Sequence, residues 1–251
     1  MLMTEYLGAW SGLLLLGLVV GGVAHVIPRQ RIDLRKRWPR DARTLGLVFI
    51  MGLPVYAAFS WLRPHYQALI PESVPRALSP VVELPAWLHI PLILLATDLL
   101  LYWFHRLLHT GRFWPLHRWH HAADELYWVT GLQGSSMHQF FMGLPNFLLY
   151  ALFPLPGWEL VLLLFLDAMV QHFTHSNWRV HLGPLEQVLI TPRHHRIHHA
   201  REVALGNSNF GFVSTLWDRV FGTYVHPDEV PEDFAVGIEE EVSEARMSLG
   251  L

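Results

Sequence analysis

Residues 7–27, LGAWSGLLLLGLVVGGVAHVI, form one unbroken apolar run. About 20 such residues suffice to cross a bilayer as a single α-helix, and this length limits the fold more than any other feature of the chain. No basic segment precedes the run, as one would in a secretory signal. The charges follow it instead, as Arg29, Arg31, Arg35, Lys36, Arg37, Arg40 and Arg43. The positive-inside rule makes this short loop, residues 29–43, cytoplasmic and the N-terminus external. Further apolar spans run over 44–62, where Pro54 is expected to kink the helix, and over 86–104. The Pro-rich stretch 63–86 between them reads as an external loop. Residues 139–153 and 157–173, broken by PLPG, make a hairpin that enters and leaves from one side, short enough to be re-entrant or strongly tilted.

The expected fold class is therefore an all-α membrane protein of four to five transmembrane or re-entrant helices with a cytoplasmic helical cap. Its divisions are an N-terminal transmembrane region (1–85), a catalytic domain (86–225) and an acidic C-terminal tail (226–251) containing EEEVSE. Only 16% of residues are charged, against about 25% in soluble domains. A net charge of −3 gives no reason to expect a nucleic-acid partner. The absence of cysteine excludes disulfides, thiolate metal sites and a cysteine nucleophile. Arginine supplies all the basic residues except Lys36, the usage of a GC-rich bacterial genome, so a bacterial inner membrane is the expected location.

Histidine is the outlier, with 17 residues. His25, His65, His89, His181 and His226 are scattered and read as ordinary interface or surface residues. The others gather as HRLLH (His105, His109), HRWHH (His117, His120, His121), a single His138, HFTH (His172, His175) and HHRIHH (His194, His195, His198, His199). On a helix, residues three and four apart share a face, so each box aims its imidazoles together. Neutral imidazole suits Zn, Cu, Fe and Ni. So many half-buried rings without a metal would leave many ring nitrogens unsatisfied. The candidate ligands are His105, His109, His117, His120, His121, His138, His172, His175, His195, His198 and His199, more than one ion can use, so the count calls for a dinuclear site. His194 reads as a neighbour of the ligands or a surface residue. The chain has neither HExxH nor Glu-x-x-His, which removes the zincin-type protease and the carboxylate-bridged di-iron bundle.

The succession HxxxH, HxxHH, a lone His and a final HxxHH resembles the fatty acid hydroxylase/sterol desaturase superfamily of membrane di-iron oxidases. DLLLYWFHRLLH, FTHSNW, LITPRHHRIHHAR and NSNFGFVSTLWDRVFGTY extend the likeness to bacterial members over about residues 95–225. His138 lacks the proline that follows in the family, and a Ser stands after HFTH where another His is common. The resemblance implies two Fe ions, which zinc can replace in purified protein, and O2 as cosubstrate. It also implies hydroxylation or desaturation of an unactivated C–H of a lipid: a sterol, fatty acyl or alkyl-ether type. No donor domain is visible, so electrons are expected from a separate ferredoxin, or a b-type cytochrome with its reductase. The site is expected to face the cytoplasm.

Asp98, Asp124, Asn177 and Asn209 are candidates to orient the ligating rings, with Asp218 read as structural. Arg193 and Arg196 are expected on lipid phosphates or carboxylates, with a polar substrate head as the sharper alternative. Trp103, Phe104, Trp119, Trp128, Phe140 and Phe141 are candidates to line a substrate tunnel, though core packing is the commoner use of such residues. The rival reading is a non-oxidative His-rich metal-binding protein or a haem protein. A haem needs only two axial histidines and leaves HxxHH unexplained. A metal pathway needs polar residues along several spans, and the first two spans hold almost none.

Overall fold

The structure, a computed structural model, describes residues 2–26, 33–179, 181–231 and 233–251. Its regular elements are helical, apart from two isolated bridges, Leu189–Ser214 and Ala200–Val236. Long helices come first: α1 (Leu2–Val26), α2 (Leu34–Leu69), the short α3 (Ser73–Val82) and α4 (Ala86–Leu108). The short α5 (Trp114–His121) and α6 (Trp128–Leu132) follow, then the pair α7 (Ser136–Tyr150) and α8 (Gly157–Thr174). The chain closes with α9 (Pro192–His198), α10 (Val203–Gly206), α11 (Leu216–Phe221) and α12 (Glu244–Ser248). Three stretches, Met3–Val23, Arg35–Leu69 and Ala86–Leu108, are long and apolar enough to cross a membrane, and the chain is an integral membrane protein.

Tyr150 and Phe153, at the tip between α7 and α8, pack with Ile90 and Ile93 of α4. The hairpin therefore reaches the far end of α4 from the histidine boxes. There Glu159 of α8 receives a 3.0 Å hydrogen bond from His89, and both side chains are buried. Trp61, Trp87 and Trp158 are exposed toward this end, as the amphipathic rings of an interfacial belt are.

Two expectations change. The basic segment is helical from Leu34 onward: Arg35, Lys36, Arg37, Arg40 and Arg43 lie in α2, while Arg29 and Arg31 fall outside the described residues. The stretch 63–86 is mostly helical, because α2 continues through Pro64 to Leu69 and α3 follows. A proline in a membrane helix forfeits one backbone bond that its neighbours can replace, so it need not end the helix. The first half of α1 packs against α2 and the cap. Tyr6 and Trp10 pack with Val48, Trp119 and Met247. Further along α1, Gly17 and Gly21 lie one turn apart under Trp128, where a Cβ on either would collide with the indole. Small residues at this spacing are what let a bulky neighbour approach a helix backbone closely.

Candidate metal centre

Five segments bring the histidines together. His105 lies in the last turn of α4 and His109 caps it, α5 carries His117, His120 and His121, His138 lies in the first turn of α7, and His175 caps α8. The helix α9 starts at Pro192, whose missing N–H costs nothing there, and supplies His195, His198 and the cap His199. Nine of these rings form two groups: His105, His109, His117, His121 and His198 in one, and His120, His175, His195 and His199 in the other. Within each group the potential ligand atoms all lie within 4.8 Å of one another. The HxxHH spacing explains the division. Residues four apart share a helix face, so His117 and His121 enter the first group together and His195 and His199 the second. The odd member of each box, His120 or His198, crosses to the other group. His121 and His199 stack at the boundary, with centroids 4.1 Å apart.

The outer nitrogens fix the ring tautomers. His105 Nδ1 donates to the Phe210 carbonyl (3.0 Å), His198 Nδ1 to Ser208 (2.9 Å), His120 Nδ1 to Gln133 (2.9 Å) and His175 Nδ1 to Gln171 (2.9 Å). His109 Nδ1 donates to the Asn207 side-chain oxygen at 3.3 Å. A carbonyl can only accept, so each of these Nδ1 atoms holds the ring's hydrogen. Burial holds His109, His175 and His198 neutral, with pKa values well below the usual range, and pushes His120 down to about 3. Each Nε2 therefore presents a bare lone pair. His120 Nε2 and His175 Nε2 nevertheless sit 3.1 Å apart, and the buried Nε2 atoms of His105 and His198 have no protein partner. Two facing lone pairs repel; a cation accepting from both removes the conflict. The donor set is all imidazole, so the residues fit a pair of first-row transition ions.

Asp98 and Asp218 support this arrangement through a loop, not through the rings. The buried Asp98 carboxylate accepts from the backbone N–H groups of Phe212, Val213 and Ser214 at 2.8–2.9 Å. Asp218 accepts from Phe210 and Gly211 at 2.8 Å; burial raises its pKa to about 6. Asn209, at φ 51°, binds the Val225 backbone through both ends of its amide. Together they hold the loop whose carbonyls orient His105 and His198. Asp124 lies at the surface, paired with Arg40 at 3.0 Å and Arg37 at 3.5 Å. Asn177 is half-buried just past α8. Asn207 is the contact that sequence reading missed. Its signal was its place in GNSNF beside Asn209; the backbone carbonyls carry no side-chain signal at all.

His138 and His172 lie outside both groups. The His138 ring stacks on His117 and His120, with centroids 4.8 Å from each, and its Nδ1 is 2.7 Å from that of His117. His172 turns away and donates from Nε2 to the Leu13 carbonyl of α1 at 3.1 Å. His194 accepts from the Thr191 N–H at the start of α9. Arg193 is buried between protein carboxylates, 2.7 Å from both Glu186 and Asp228, and Arg196 lies over Phe234. Glu186 and Asp228 also group with His181, but both already pair with Arg193. Of the tunnel candidates, Trp119 is fully buried in the cluster with Tyr6, Trp10 and Met247, Trp128 seats α1, Trp103 packs on Phe221, Phe104 on Phe141, and Phe140 on Phe59.

The profile of the Fatty acid hydroxylase family matches residues 90–223, just over half the chain. Alkylglycerol monooxygenase of Xenopus tropicalis is 32% identical over 160 residues, covering 59% of this chain and 35% of the relative. Ornithine lipid hydroxylase OlsE of Rhizobium tropici is 32% identical over 149 residues, 57% of this chain and 43% of the relative. A Delta(7)-sterol 5(6)-desaturase of Candida albicans is 34% identical over 153 residues, 56% and 35% respectively. The chain thus spans between a third and a half of the length of these curated relatives. No solved structure matches.

Proposed function

Because the chain belongs to the fatty acid hydroxylase family, we propose that it is a membrane oxygenase that hydroxylates or desaturates an unactivated C–H bond of a lipid. The cosubstrates are O2 and two electrons from a separate donor protein, a ferredoxin or a b-type cytochrome with its reductase. The reading is carried by one observation: nine neutral or lone-pair-bearing imidazoles in two groups, with no carboxylate among them. We assign His105, His109, His117, His121 and His198 to one ion, and His120, His175, His195 and His199 to the other. His138 is assigned as a ring packed between the two sets, and His172 as the anchor of α1.

Iron bound by these rings would supply the redox chemistry that reduces O2 and oxidises the C–H bond. The protein's own part is to hold the rings in one tautomer through their Nδ1 hydrogen bonds and to keep water out. Purified protein can carry zinc, which imidazole sites bind more tightly than ferrous iron in the usual order. We place the enzyme in a bacterial inner membrane with the site facing the cytoplasm. The substrate class rests on the relatives, whose names cover an alkylglycerol, an ornithine lipid and a sterol.

The test pairs metal analysis with lipid mass spectrometry of cells that express or lack the chain. The expected result is two ions per chain and a lipid species shifted by one added oxygen or by the loss of two hydrogens. One ion at saturation overturns the dinuclear assignment. Full turnover with zinc alone overturns the oxidase reading, since zinc has no redox chemistry.

A further inference from the structure

We propose that the two metal positions are unequal: the five-histidine position loads and releases its ion through His109, and Asn207 is the positioning residue that keeps that ring closed. This rests on the dinuclear reading above. Among the nine grouped histidines, His109 alone is half-buried, and the other eight are buried. It caps α4 beyond the last helical residue, where local opening costs least. Thr110, Gly111 and Arg112, which follow it, are exposed, as are Val203 and Asn207 on the facing α10 segment.

The hold on this ring also differs in kind from that on four of the buried ones. His105, His120, His175 and His198 donate to backbone carbonyls at 2.9–3.0 Å, which cannot leave unless a whole segment moves. His109 donates to an exposed side chain at 3.3 Å, which one rotamer change removes. With His109 swung out, His105, His117, His121 and His198 still supply four nitrogens, the number that the second group has in total. The first position can therefore open toward solvent without losing its remaining ligands. The second has no such edge, because all its members are buried.

The experiment uses the full chain in detergent, loaded with zinc and challenged with excess chelator, while a zinc indicator follows release. Release is expected in two phases of one equivalent each. Asn207→Leu removes the acceptor and should speed the fast phase about threefold to tenfold, the range that one hydrogen bond carries. It should leave the slow phase unchanged. Asn207→Asp keeps an acceptor oxygen and should restore the wild-type rate. Two equivalents leaving with one rate constant, or both phases accelerating equally in Asn207→Leu, overturns the proposal and spares the dinuclear reading. A wild-type chain that binds fewer than two equivalents overturns both.

Discussion

A histidine's position in a box says less about its role than the atom its far nitrogen meets. His172 and His175 are three residues apart on one helix end, yet His175 turns Nε2 to within 2.8 Å of that of His195, while His172 bonds to Leu13 of α1. His120→Ala and His198→Ala should each lower the bound metal from two ions per chain toward one and abolish turnover. His172→Ala should retain both ions and show its effect as a lower melting temperature, because it unseats α1. Elemental analysis of the purified variants checks this; loss of an ion from His172→Ala would return that residue to the ligand set. The same burial makes the metal-free chain acid-sensitive. His120 titrates near 3 in the fold and near 6.5 when unfolded. Between these values the unfolded chain binds the extra proton, so stability rises with pH and is lost as pH falls below about 6.5. The denaturation midpoint of the metal-free protein should therefore drop from about pH 8 to about pH 5, and a flat profile would contradict neutral buried rings.

At the scale of elements, the centre depends on a segment that has almost no regular structure. Residues 207–215 supply the carbonyls for His105 and His198, and the carboxylates of Asp98 and Asp218 tie that segment to α4 and α11. Asp98→Ala would strip three half-buried N–H groups of their acceptor, each at a cost of about 1 kcal/mol. The expected outcome is a destabilised chain that loses the ion of the five-histidine group before the other. Thermal melting and metal content measured together check it; an unchanged melt with two ions bound would show that the loop stands without Asp98. The C-terminal stretch is a second such element. It reads as an acidic tail by composition, but Gly237 donates to the His199 carbonyl at 3.1 Å and Glu240 accepts from Trp114 at 2.6 Å and Arg118 at 2.7 Å. Glu240 thus ties the stretch to α5, and Glu244 pairs with Arg43 of α2.

On the scale of the whole molecule, α2 is the ruler. Its 36 residues span roughly 54 Å at about 1.5 Å each, well beyond a hydrocarbon core of about 30 Å. Ser136, at the start of α7, donates to the Met51 carbonyl, and Tyr66 reaches Leu148 near the end of α7. The two helices therefore run together from the metal centre to the far end, and the first part of α2 projects past the centre on the other side. Reporter fusions at residues 36 and 200 should both read cytoplasmic, and one at residue 71 should read external; opposite signals at 36 and 200 would sink the single-sided topology. What the sequence determined by itself follows from composition and local period: helices long enough for a bilayer, and boxes whose three- and four-residue spacing must aim imidazoles together. Tertiary structure alone decided which rings share a group, that His172 serves α1, that Tyr6 and Trp10 lie against Trp119, and that Asn207 and four backbone carbonyls set the tautomers. Those outcomes depend on contacts between segments far apart in the chain, and a backbone carbonyl is the same atom in every residue, so no local pattern can announce them.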